Sequence, residues 1–145
     1  MDFYPAIWNG LHDGNIIAVQ GAVPGTVRLD VAIDYLRERF PDSGETIQVR
    51  LTGCTRFAYR DFNDVEFTTD FPAIAAFEPQ VLSAELRGGL CVLDCSGGVL
   101  EVMAADGSLA LDSGRAITLQ ELIDVADAYW TEWSERAKKA RQTLP

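Results

Sequence analysis

Val27-Arg28-Leu29-Asp30-Val31-Ala32-Ile33-Asp34 alternates large apolar residues with charged or small ones, and Ile47-Gln48-Val49-Arg50-Leu51-Thr52 repeats the pattern. Successive side chains of a strand point to opposite faces, so a period of two describes a strand with one face on a core and the other in water. Parallel strands are buried on both sides and read as continuous apolar runs instead; these strands are therefore expected to be antiparallel. Working outward, Phe57 and Tyr59 alternate with Arg56, Ala58 and Arg60 in the same way. Dipeptides that supply the backbone angles of tight turns punctuate the chain at Asp13-Gly14, Pro24-Gly25, Ser43-Gly44, Gly88-Gly89, Gly97-Gly98, Asp106-Gly107 and Ser113-Gly114. Strands are predicted over about 15–21, 26–34, 46–53, 55–62, 80–86, 90–95, 98–104 and 108–112. Leu36 and Phe40, four apart before Pro41, suggest one helical turn, and Pro72 to Phe77 suggests another.

One long helix is predicted over about 118–141. Thr118-Leu119-Gln120-Glu121 has the form of a capping box, in which hydroxyl and carboxylate each satisfy a free backbone N–H of the first turn. Leu119, Leu122, Ile123, Ala126, Trp130, Trp133 and Ala137 recur at spacings of three and four, and the acid-to-base drift along the helix suits its dipole. The fold expected is α+β in a single domain, 1–145. It is an antiparallel, twisted sheet or open barrel of about six to eight strands, with the C-terminal helix laid on it through its tryptophans.

The 145 residues are 48% hydrophobic and 23% charged, enough chain for one core without disulfides or metals. No uninterrupted apolar run is long enough for a membrane helix and no secretory leader opens the sequence, so no membrane association is expected. Three cysteines, an odd number, suit a reducing compartment and a cytoplasmic location. Cys91 and Cys95 on one strand would stand ~13 Å apart, too far for a shared zinc or a local disulfide. With Cys54, they read as small buried hydrophobes. The single imidazole, His12, lies beside a turn and has no evident nucleophile to serve. No Gly-x-Ser-x-Gly, phosphate-cradling Gly loop or His-Glu-x-x-His occurs, and Asp61 to Glu66 lacks the glycine and glutamate of a calcium loop. No enzyme activity, cofactor or metal is expected.

Charge is the strongest functional signal. Twenty-two acids against twelve bases give −10, which argues against a nucleic-acid partner. Residues 61–112 hold ten acids and one base, Arg87, so nearly the whole excess lies there. Within that span Asp61-Phe62-Asn63-Asp64-Val65-Glu66-Phe67-Thr68-Thr69-Asp70-Phe71 interleaves acids with phenylalanines. Acids speed the encounter with a basic protein and apolar anchors hold it. The candidate epitope is Asp61, Asp64, Glu66 and Asp70 for steering, with Phe62 and Phe67 as anchors.

The Leu11-His12-Asp13-Gly14 turn, the strand pair ending at Tyr35-Leu36, the run Val49-Arg50-Leu51-Thr52-Gly53-Cys54-Thr55-Arg56-Phe57 and the closing Trp-bearing helix resemble small bacterial proteins akin to the immunity proteins of polymorphic toxin and contact-dependent inhibition systems. That resemblance implies a cytosolic binding protein that occludes a basic toxin domain, and it carries over no particular residues. Two other readings remain open. One is a small-molecule or enzymatic site in the mouth of the sheet, lined by Trp8, Tyr59 or Trp130 with converging carboxylates. The other is a homodimer formed through a sheet edge or an aromatic patch.

Overall fold

A computed structural model describes residues 3–142. In chain order the elements are α1 (Phe3–Gly10), β1 (Asn15–Gly21), β2 (Gly25–Ala32), α2 (Asp34–Arg37), β3 (Thr46–Cys54), β4 (Arg56–Asp61), α3 (Phe71–Phe77), β5 (Val81–Arg87), β6 (Leu90–Cys95), β7 (Gly98–Met103), β8 (Asp106–Leu111), β9 (Ala116–Ile117) and α4 (Leu119–Gln142). Every strand predicted from alternation forms, with ends displaced by no more than two residues. All strand pairs are antiparallel.

The strands divide into two sheets rather than one: β1-β2-β3-β8-β9 and β4-β7-β6-β5. The division is a bend in a single long ladder. β3 pairs with β8 up to Thr52 opposite Asp106, and the ladder resumes as β4 with β7 from Arg56 opposite Met103. At the corner Ala105 N–H reaches the Thr52 and Gly53 carbonyls, and Thr55 N–H donates to Met103 O. Gly53 makes the bend with φ of +59°, where a Cβ would also stand 2.9 Å from the Ala105 Cβ. At the far edges one isolated bridge, Asn15 to Gln80, ties the sheets together without closing a barrel.

Alternation dictates the core. Val27, Leu29 and Val31 of β2 and Ile47, Val49 and Leu51 of β3 are wholly buried, and they join Phe57, Leu93, Leu100 and Val102 of the second sheet in one cluster. Residues 3–10, not assigned to any element by sequence, form α1, which lies against β5 and β6 and sinks Ile7 and Trp8 completely. Burying such side chains contributes roughly 2–3 kcal/mol each.

The capping box of α4 forms as read: Glu121 N–H donates to Thr118 Oγ at 3.0 Å, and Thr118 N–H to Glu121 Oε1 at 3.1 Å. Its packing differs from expectation. The main neighbours of α4 are α1 and α2, not a sheet, and only Leu122 and Ala126 are buried. Gly10 permits the approach, since a Cβ there would meet Leu122 Cδ2 at 3.0 Å. Trp130 packs edge-on to His12 and Tyr35, while Trp133 remains 51% exposed. Helix α1 occupies the surface that the tryptophans were expected to cover.

Arg37 is 1% exposed and locks α2 to the body. Its Nε donates to Asp112 Oδ1 at 2.8 Å, and its two terminal nitrogens donate to the carbonyls of Asp42 and Ser43. Asp112 also accepts from the Glu45 and Thr46 N–H groups.

Candidate functional site

The acid-rich stretch is the connection between β4 and α3. Asp61 closes β4 opposite Gly98, and Phe62 N–H donates to Gly97 O at 3.0 Å. A tight turn follows: Asn63 N–H donates to the Asp61 carboxylate at 3.0 Å and Asp64 N–H to the Asp61 carbonyl at 2.9 Å. Tyr59 and Thr68 then exchange both backbone hydrogen bonds, which folds the loop back on β4. Asp70 ends it as the N-cap of α3, accepting from Ala73 N–H at 3.2 Å with Pro72 in the first turn. The loop is therefore pinned at both ends and held at its neck.

This geometry brings Asp61, Asp64, Glu66 and Asp70 together with Phe62 on one surface loop. The two aromatic candidates behave differently. Phe62 is 60% exposed, whereas Phe67 is half-buried beneath the guanidiniums of Arg56 and Arg60, 5.2 and 5.8 Å from its ring centre. Phe67 is thus part of the loop's own support. Val65, 94% exposed, takes its place beside Phe62 as an apolar group facing water. Sequence reading passed over Val65 because an isolated valine carries no signal of exposure. Asp64 and Glu66 make no side-chain hydrogen bond or ion pair among the described residues; Asp61 and Asp70 spend part of their capacity on the loop.

Of the six other acids in residues 61–112, three are paired with an arginine and a fourth lies in the other sheet. Glu101 is paired with Arg56 at 2.7 Å, Asp112 with Arg37 at 2.8 Å, and Glu85 with Arg87. Asp106 lies in the other sheet at the start of β8. Much of the excess noted in sequence is neutralised locally or placed elsewhere, and the loop is where unpaired acids cluster.

A cleft of about 510 Å³ opens at the foot of the loop, with Asp70, Phe71 and Pro72 on one side and Val23, Arg56 and Phe57 on the other. Asp70 belongs to both loop and cleft. Of the aromatic residues envisaged around a pocket, Trp8 and Tyr59 are closed into the core, whereas Trp130 lines open clefts along α4 together with Asp127 and Glu135. Burial pushes the Tyr59 hydroxyl up to about 12. Trp130 also belongs to a surface cluster with His12, Tyr35, Tyr129 and Trp133.

All three cysteines are free and buried, and burial raises the Cys91 thiol to about 11 and Cys95 to about 12, with Cys54 raised as well. Thiolate chemistry is disfavoured at each. Among the described residues no three His, Cys, Asp or Glu side chains gather at metal-binding distance, and no helix is long and apolar enough to cross a membrane.

No protein-family model, curated protein or solved structure matches the chain.

Proposed function

We propose that this chain is a non-enzymatic acidic binding protein of the immunity type, which occludes a basic protein such as a toxin domain through the β4–α3 loop. One observation carries the reading: unpaired Asp64 and Glu66 flank exposed Val65, with exposed Phe62 on the same loop, which is tied down at its neck by Tyr59 and Thr68. A pinned loop loses little freedom on binding, acids steer a basic partner, and apolar side chains supply the contact that slows dissociation. The adjoining cleft beside Asp70 offers room for one side chain of the partner.

The test is association of the purified chain with its basic partner from the native host, followed against salt. Combining Asp61→Asn, Asp64→Asn, Glu66→Gln and Asp70→Asn keeps the acceptor oxygens that the turn and cap require while removing four charges. The association rate should fall about tenfold or more at low salt and lose most of its salt dependence. Phe62→Ala with Val65→Ala should act on dissociation instead. An unchanged association rate for the charge variant refutes the assignment of this loop.

A further inference from the structure

The outward face of the first sheet, away from the acidic loop, holds an arrangement that packing alone does not explain. In the β2–β3 register Arg28 stands directly opposite Arg50, and Arg50 in turn stands opposite Ser108 of β8. Directly opposed residues have Cβ atoms ~4.5–5.5 Å apart, and like charges so placed destabilise a sheet. Arg50 has no hydrogen bond or ion pair among the described residues. Arg28 has a single acid, Asp30, at 3.6 Å, and both facing atoms, Arg28 Nε and Asp30 Oδ1, are shielded from solvent without a hydrogen bond. The next acid along, Asp106, accepts from its own neighbour Gly107 N–H at 2.7 Å. In a chain carrying ten more acids than bases, two arginines sit side by side with less than their share of counter-charge.

The surroundings leave room above them. Ala110 and Ala116 are small, and a cleft of about 340 Å³ opens between the two arginines, Gln48 and Ser108. Every ionised side chain lining it is a guanidinium, and Gln48 and Ser108 add neutral donors. A guanidinium presents paired N–H groups that match the oxygens of a carboxylate or phosphate.

We propose that this cleft binds a small oxyanion, the carboxylate or phosphate group of a low-molecular-weight ligand, between Arg28 and Arg50 with Gln48 and Ser108 as further donors. The bound anion supplies the counter-charge the sheet lacks. The site is separate from the β4–α3 loop, and the proposal stands or falls independently of the protein-binding reading.

Inorganic phosphate and, in a second arm, acetate are titrated into the whole chain at constant ionic strength made up with chloride, following the side-chain Nε–Hε NMR signals of Arg28 and Arg50. Both signals should shift saturably, with half-saturation at millimolar anion, and Arg50→Gln should weaken binding about 10- to 100-fold. Response to phosphate alone assigns a phosphate ligand; response to acetate alone assigns a carboxylate. The urea midpoint of Arg50→Gln without added anion should equal or exceed that of the parent, because a repulsion is removed. Equal shifts with chloride alone overturn the proposal, and so does a lower midpoint for Arg50→Gln, which makes the pair structural.

Discussion

Removing the Arg37 guanidinium, as in Arg37→Met, tests the most consequential polar contact in the fold. Arg37 is 1% exposed and donates to Asp112 Oδ1 at 2.8 Å and to the carbonyls of Asp42 and Ser43 at 2.6 and 3.0 Å. Deleting one partner of a buried ion pair costs about 3–5 kcal/mol where the other is left without water. Here Asp112 keeps 26% of its side-chain surface and two backbone donors, so water can replace part of what is lost. The two carbonyls each forfeit a charged donor, and methionine returns some apolar packing. The balance is a destabilisation of about 3 kcal/mol, or roughly 10 °C in Tm for a chain of this length. Urea unfolding measures it, with an unchanged m-value confirming that the denatured state is the same. Arg37→Lys should recover less than half, since a single ammonium cannot reach three acceptors spread around a planar fork. In a double-mutant cycle with Asp112→Asn the two changes should be strongly non-additive. A loss below about 1 kcal/mol for Arg37→Met, or additive behaviour in the cycle, refutes the reasoning.

Acid should unfold the protein partly through the same region. Hydrogen bonds from Ser113 and Arg115 hold the Asp42 carboxyl down at about 2; that of Asp112 is lowered too, its burial being outweighed by donors from Glu45, Arg37 and Thr46. With folded-state values below the unfolded ones, the denatured chain binds more protons in this range, so stability falls as pH drops from about 5 towards 2. Asp42→Asn and Asp112→Asn should each flatten urea midpoint against pH there; a slope equal to the parent's counts against the assignment. Gly53→Ala should cost about 1–2 kcal/mol by Tm, because an L side chain is disfavoured at φ of +59° and its Cβ meets Ala105; a neutral result means the corner relaxes freely. Trp8→Ala should cost about 3–5 kcal/mol and Trp133→Ala under about 1, since one ring is wholly buried and the other half exposed; equal losses contradict the packing of α4 described above.

The strands and the capped helix were legible because each leaves a local trace: alternation in Val27–Ile33 and Ile47–Leu51, and the Thr118/Glu121 pair at its fixed spacing. The split into two sheets was not, because the corner at Gly53 and Ala105 shifts the pairing register by one residue, and register is set across strands rather than within either one. Nor was the packing of α4, whose apolar stripe says that it needs a partner but not that α1 provides one. In the candidate site the acids of the loop could be read from composition, but the turn at Asp61–Asp64 was hidden inside a strand expected to run to residue 62. The fate of Phe67 could not be read either, since Arg56 and Arg60 reach its ring only after the loop has folded back through the Tyr59–Thr68 bridge. Local neutralisation of Glu101 and Asp112 is likewise a product of tertiary placement.

Helix α4 is continuous in geometry yet divided in energetics. Up to Trp130 it shares contacts with α1 and α2, but from Thr131 to Gln142 no residue is buried, and the stretch is tied down near its start by half-covered Trp133 on Trp130 and by the Glu132–Arg39 ion pair. Backbone hydrogen bonds in a stretch with so little packing open and close on their own, far more cheaply than the whole molecule unfolds. Amide deuterium uptake should therefore rise along this one helix, slow around Leu122 and Ala126 and fast beyond Trp133, so that a single secondary-structure element reports two levels of stability.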